Sequence, residues 1–271
     1  MMGAETQTAA AEVAAVIHNF EESFPRDGTS WPFTWRRAPS RGGRSIIVMP
    51  GAGGTTEFFA FVAHTLRDGG LDPVFVDYAG DVPPDELAAL LQALVCDLDL
   101  SEPVLLGCSY SAYWSQHLSD EGTFSRLILC NGFVEATDLQ PNPLFDHAKI
   151  SAADPETLQG EWRVRSQGQA GTRLGQLLLH AMSGGLPAKD LRGRLLEVSS
   201  ARAVRSGWVG PVSVIDCDDD QLVRDHARKK FRDAWPGARH VKLNGGGHYP
   251  YVLVPEAFAL AVLEACNAAE R

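Results

Sequence analysis

A chain of 271 residues is long enough for one large domain with an insertion, and 45% apolar with 21% charged residues is a soluble, globular profile. A formal net charge of -10 leaves no basic stripe to neutralise phosphates, which excludes a nucleic-acid partner. No run approaches the ~18 consecutive apolar residues of a membrane span.

In chain order, "MMGAETQTAAAEVAAVIHNFEESF" predicts an N-terminal helix; it carries Glu5 and Glu12 and lacks the basic start and apolar centre of a secretion signal. A turn-rich stretch follows, with one short strand over Phe33 to Arg36. "SIIVMP" (45–50) is a buried strand that runs into the glycine cluster "GAGG". "TEFFAFVAHTLRDGG" has helical spacing and a glycine stop, and "DPVFVDY" (72–78) is the next strand. "PPDELAALLQALVCDL" (83–98) places proline and acids at a helix start. The strand "EPVLLGC", the helix "SYSAYWSQHLSD" and the strand "RLILCNG" (126–132) complete a βαβαβαβ alternation. Strands apolar at nearly every position belong to a parallel sheet covered on both faces, so the fold class is α/β.

The pattern then changes. Residues 133–207 contain no clear strand; they hold polar loops such as "DLQPNPLFDH" and the helical segments "TRLGQLLLHAMS" and "AKDLRGRLLEVSS". This stretch reads as a helical cap inserted into a core made of residues 1–132 and 208–271. Its basic region, Arg163 to Arg205, has scattered charges and reads as a solvated face. The strand "GPVSVIDC" (210–217), the helix "LVRDHARKKFRDAW", the strand "ARHVKLN", the loop "GGGHYPYV" and the closing helix "PEAFALAVLEACNAAE" end the chain.

In such a sheet, reactive groups gather beyond the carboxyl ends of the strands. There the chain offers Ser109 after "VLLG", Asp216 and Asp218 to Asp220 after "VSVI", and His248 after "HVKLN". A serine hydroxyl needs a base to take its proton and an acid to orient that base. These strand ends supply the three types in the order Ser, acid, His. Taken alone, Ser109 also fits an ordinary helix cap. His226 and His240 read as structural.

These residues carry a resemblance. Over roughly residues 40 to 265 the chain resembles an α/β-hydrolase: a mostly parallel sheet flanked by helices, with Gly107-Cys108-Ser109-Tyr110-Ser111 similar to the nucleophile elbow. Ser111 stands where a second glycine is usual. "RLILCNGF", "PVSVID" and "PGARHVKLNGGGHYPYV" resemble the maspardin-like branch, whose namesake is viewed as lacking a complete triad and acting through protein contacts. His248 departs from that pattern.

The resemblance implies Ser109 as nucleophile, His248 as general base and Asp220 as the orienting acid, with Asp219 as the alternative. The oxyanion donors would be the backbone amides of Tyr110, at a helix start, and Ala52, with Gly53 as fallback. The glycine cluster is not a phosphate loop, since "GAGGTT" lacks the Lys-Ser/Thr ending and position 56 is Thr. Tyr110, Tyr113 and Trp114 are either acyl-pocket lining or core, and Phe145, Trp162 and Leu177 to Leu179 would shape the substrate site from the cap. The cysteines Cys96, Cys108, Cys130, Cys217 and Cys266, odd in number and mostly in apolar runs, read as reduced thiols of a cytoplasmic protein. No metal-ligand spacing is present.

The expected activity is a metal- and cofactor-independent serine hydrolase acting on an ester or thioester of a small-molecule acyl substrate. A non-catalytic interaction protein, or a lyase or cyclase of secondary metabolism on the same fold, are the alternatives.

Overall fold

The computed structural model describes residues 2–119 and 122–268. Eight strands, β1 (Arg26–Ser30), β2 (Phe33–Arg37), β3 (Arg44–Met49), β4 (Leu71–Tyr78), β5 (Val104–Cys108), β6 (Arg126–Cys130), β7 (Val212–Cys217) and β8 (Arg239–Leu243), form one sheet in the order β1-β2-β4-β3-β5-β6-β7-β8. The β1–β2 and β2–β4 pairs are antiparallel, and the rest are parallel. Every residue of β5 and β6 is buried, as a strand covered on both faces requires.

Eleven helices occur among the described residues: α1 (Met2–Ser23), α2 (Ala63–Asp68), α3 (Pro84–Asp97), α4 (Tyr110–Trp114), α5 (His147–Ala152), α6 (Pro155–Gln167), α7 (Arg173–His180), α8 (Ala188–Ser200), α9 (Asp225–Ala234), α10 (Pro250–Leu253) and α11 (Pro255–Asn267). None is long and apolar enough to cross a membrane. In α3, Pro84, Asp85 and Glu86 open the first turn, and Leu87, Leu91, Leu94 and Val95 form the buried stripe. In α11 the stripe is Phe258, Ala261, Val262 and Ala265, packed on α2, β6 and β8. All five cysteines are free, and Cys96 is exposed.

Several elements differ from the sequence reading. The strand expected at Phe33 to Arg36 is β2, but its hairpin partner β1 was not anticipated; β1 is almost wholly exposed, so it lacks a hydrophobic alternation. "TEFFAFVAHTLRDGG" is a 3₁₀ turn (Thr56–Phe59) followed by α2, because the Thr56 amide and hydroxyl are held by the Asp77 carboxylate of β4. The helix after Ser109 is short: a 3₁₀ turn over Ser115–His117 follows α4, where the Ser115 hydroxyl bonds back to the Ser111 carbonyl at 2.6 Å. Asp120 lies outside the described residues.

Between β6 and β7 run α5 to α8 with no sheet strand among the described residues. Helices α5 and α6 were not foreseen as such, although Asp154 caps α6 by accepting from the Thr157 amide (3.1 Å) and Pro155 opens it. Helix α8 docks onto the loop that follows β4 through a glycine pair, Gly193 and Gly80. The Asp190 carboxylate accepts from the Gly80 amide at 3.0 Å, and a Cβ on Gly193 would overlap the Gly80 carbonyl. Gly193→Ala is therefore expected to lower the unfolding free energy by about 2 kcal/mol despite the roughly 1 kcal/mol that Ala gains in a helix. Gly160→Ala in α6, where a Cβ meets nothing within 4 Å, should instead raise stability by about 0.5–1 kcal/mol. Urea unfolding of both variants checks the pair.

Candidate active site

The turn from β5 into α4 puts Ser109 in left-handed backbone, φ 56° and ψ -112°, a conformation a non-glycine residue holds only under constraint. Two backbone bonds hold it: the Ser109 amide donates to the Cys130 carbonyl of β6 (2.8 Å), and its carbonyl accepts from the Tyr113 amide (2.9 Å). A Cβ on Gly107 would sit 3.0 Å from Ala112 N and the Ser111 carbonyl, which explains the glycine two residues before the serine. The residue two after it does more than stay small. The Ser111 hydroxyl accepts from the Cys108 amide (2.6 Å) and lies 2.9 Å and 3.0 Å from the Met49 and Cys108 carbonyls. It fastens the turn to β3, a role glycine cannot play.

His248 Nε2 lies 2.8 Å from Ser109 Oγ, and His248 Nδ1 lies 2.8 Å from Asp220 Oδ2. The side chain of Asp220 is fully covered and that of His248 is one-tenth exposed. Burial pushes the Asp220 carboxyl upward, but the facing His248, its hydrogen bond and the Val223 and Leu222 amides outweigh burial and leave it below the usual carboxylate range. An ionised Asp220 can only accept, so Nδ1 carries the proton and Nε2 is left to accept from Ser109.

The aspartates of the cluster have separate tasks. Asp220 Oδ1 accepts from the Leu222 (2.7 Å) and Val223 (3.0 Å) amides while Oδ2 faces His248. Asp219 accepts from the Gly247 amide at 2.8 Å and Asp218 from the Gly245 amide at 3.1 Å, so both hold the loop that carries His248. That loop turns through three glycines of positive φ, 77°, 100° and 52°. Asp216 turns away and pairs with Arg232 at 2.7 Å.

Three residues that the sequence reading did not single out complete the frame. Buried Asn131, itself at φ 47°, donates to the Gly247 carbonyl (3.0 Å) and accepts from the Cys217 amide (3.1 Å), which ties the histidine loop to the end of β7. Buried Arg228 donates to the carbonyls of Asp218, Asp220 and Val223. Arg194 corrects the expectation of a solvated basic face. It is 2% exposed, donates to the carbonyls of Gly54 (3.0 Å) and Tyr78, and lies over the Tyr78 ring at 3.9 Å.

The loop after β3 runs beside Ser109. The amides of Ala52, Gly53 and Tyr110 find no acceptor among the described residues, whereas Gly54 donates back to the Gly51 carbonyl at 3.2 Å. The cavity at Ser109 and His248 is walled by Ala52, Phe133, Leu139, Phe145, Trp162 and Tyr251, among others. Phe145 and Trp162 reach it as expected, whereas Leu177 to Leu179 do not line it. Nor do Tyr110, Tyr113 and Trp114. All three are buried core residues, with Tyr110 stacked on Tyr113 and tilted against Tyr78, and Tyr113 stacked on Phe133. His226 and His240 are exposed and take no part.

Residues 46–262 match the model of the alpha/beta hydrolase family. Solved structures that share the fold include a hydrolase from Pseudomonas aeruginosa PA01 (TM-score 0.70, 18% identity, 87% of this chain and 94% of that one). An esterase from Exiguobacterium antarcticum (TM-score 0.70, 14% identity, 87% and 96%) and an enol-lactonase from Burkholderia xenovorans LB400 (TM-score 0.66, 16% identity, 90% and 100%) are also similar. At these identities the likeness establishes the fold alone. No curated protein matches the chain.

The depressed Asp220 carboxyl fixes the sign of a pH effect. Folding favours the ionised form, so its stabilisation is complete above the unfolded value of about 4 and is lost as pH falls through the lower folded value. The stability gap between wild type and Asp220→Asn should therefore close as pH falls below about 4. Urea titrations at stepped pH measure this, and a gap that persists undiminished well below pH 4 contradicts it.

Proposed function

Because the chain belongs to the alpha/beta hydrolase family, we propose that it is a serine hydrolase cleaving carboxylic esters or thioesters through an acyl-enzyme. The observation that carries the reading is the unbroken Ser109–His248–Asp220 hydrogen-bond chain, 2.8 Å at each step. Ser109 Oγ attacks the acyl carbon as His248 Nε2 takes its proton. Asp220 holds the ring and offsets the positive charge that forms on it. The tetrahedral oxyanion is met by the amides of Ala52 and Tyr110, which have no other acceptor among the described residues. The protonated His248 then gives its proton to the departing alcohol or thiol. In the second half His248 takes a proton from water, the hydroxide adds to the acyl carbon, and the ester bond to Ser109 breaks as Oγ recovers the proton. Helices α5 to α8, within the 133–207 segment, act as the cap, with Phe145 and Trp162 over the acyl site. Among proteins of similar fold, an esterase and an enol-lactonase act on the same class of carbonyl.

A fluorophosphonate probe should label wild type at Ser109 and leave Ser109→Ala unlabelled. In hydrolysis of short acyl esters, Ser109→Ala is expected to lose more than about 10⁴-fold in kcat. Asp220→Asn should lose about 10³–10⁴-fold. Asp219→Asn, which only loosens the Gly247 amide, should lose less than about 10-fold, and the reverse ranking would make Asp219 the acid. A folded protein that neither labels nor turns over would instead be a maspardin-like interaction protein. Activity kept in Ser109→Ala but lost in His248→Ala would indicate proton-transfer chemistry of a lyase or cyclase.

A further inference from the structure

With Ser109 as the nucleophile, the cavity around it also limits what it can acylate. We infer that the substrate's acyl group is uncharged and no longer than about three carbons, and that Trp162 sets this limit. The inference rests on the reading of Ser109 given above.

Size comes first. The space in which a water-sized sphere can be centred at Ser109 and His248 is only about 30 Å³, a narrow slot between the side chains. With the carbonyl carbon against Ser109 Oγ and its oxygen turned to the Ala52 and Tyr110 amides, what remains holds a methyl or an ethyl group. The walls are Leu139, Phe145, Leu195, Val198, Trp162 and the Tyr251 ring, so the tail meets carbon.

Charge comes second. Among the described residues lining this cavity there is no Asp, Glu, Lys or Arg. The cation near this loop, Arg194, is committed to the Gly54 and Tyr78 carbonyls and does not line the cavity. An ionised acyl tail would have to shed its water with no partner to replace it.

The stopper is Trp162. Its indole lies against Gly53, where a Cβ would be 2.9 Å from Trp162 Cζ3, so the missing side chain at Gly53 is what admits the ring. Gly53 directly follows Ala52, which sets the indole over the oxyanion loop. Helix α6 is fixed by its Asp154 cap, by the Lys149–Glu161 pair (2.5 Å) and by packing on α7 and α8. The ring is therefore a built wall, and replacing it should lengthen the pocket.

The test is a chain-length series of p-nitrophenyl esters, acetate to decanoate, read as kcat/KM. Wild type should prefer acetate or propionate and lose at least about tenfold by hexanoate. Trp162→Ala should gain at least about tenfold on hexanoate and octanoate, and Trp162→Phe should fall between the two. Val164→Ala, on the same helix but 64% exposed, should match wild type. The p-nitrophenyl hemisuccinate should react at least tenfold more slowly than the butyrate. Labelling rates of wild type with methyl and octyl fluorophosphonates give the same size ranking without any variant. A flat or rising length profile in wild type, an unchanged profile in both Trp162 variants, or a hemisuccinate as good as butyrate overturns the inference while Ser109 still labels. Absence of both labelling and turnover removes the nucleophile reading, and this inference with it.

Discussion

Ser109 is held at φ 56° between the end of β5 and the start of α4, and nearly every feature near the site either forces or tolerates that turn. A strand that passes into a helix without a loop has no other way to present a side chain above the sheet. Such backbone costs on the order of 1–3 kcal/mol and persists only where the surroundings over-determine it. Here they do: Gly107 makes room below, the Ser111 hydroxyl ties the turn to β3, and the Ser109 amide is taken by the Cys130 carbonyl of β6. The strain is distributed over three adjacent strands, each buried and unable to shift alone.

The same logic governs the acid cluster. Consecutive carboxylates at one strand end repel, and the fold resolves this by giving each its own donors. Asp218 and Asp219 take amides of the glycine loop, Asp220 takes two amides and His248, and Arg228 gathers the carbonyls of the turn from below. Asn131 adds a cross-tie from β6. A loop of three glycines, free to wander by composition, is thereby pinned at its first and last amides and its last carbonyl. The position of His248 depends on that pinning as much as on Asp220.

The alternation of strands and helices was legible because the central parallel strands β5 and β6 are buried on both faces and so are largely apolar. The strand ends before Ser109 and Asp220 were legible for the same reason, since β5 and β7 are almost wholly buried, whereas β8, an exposed edge strand, was marked by the glycine run after it. What escaped the sequence had physical causes. Strand β1 is exposed on both faces and leaves no pattern. The burial of Arg194 is decided by the carbonyls of Gly54 and Tyr78, 140 and 116 residues away. Asn131 looks like any turn residue until its two partners are in place. The aromatics after Ser109 could be core or pocket on sequence alone, because the direction of a short helix settles it. The start of α6 was different, since the Asp154-Pro155 pair announced it and was passed over.

The Ser109–His248 bond joins residues 139 positions apart, with α5 to α8 between them in the chain. When β5 and its serine leave the ribosome, the histidine, 139 residues on, has yet to be made, and at roughly 5–20 residues per second it follows about 7–28 seconds later. Until then the Ser109 hydroxyl lacks its hydrogen-bond partner and β7 has no edge partner. Chains that stop before residue 248 therefore lack the second partner of that bond, which forms only after the last strand of the sheet has been made.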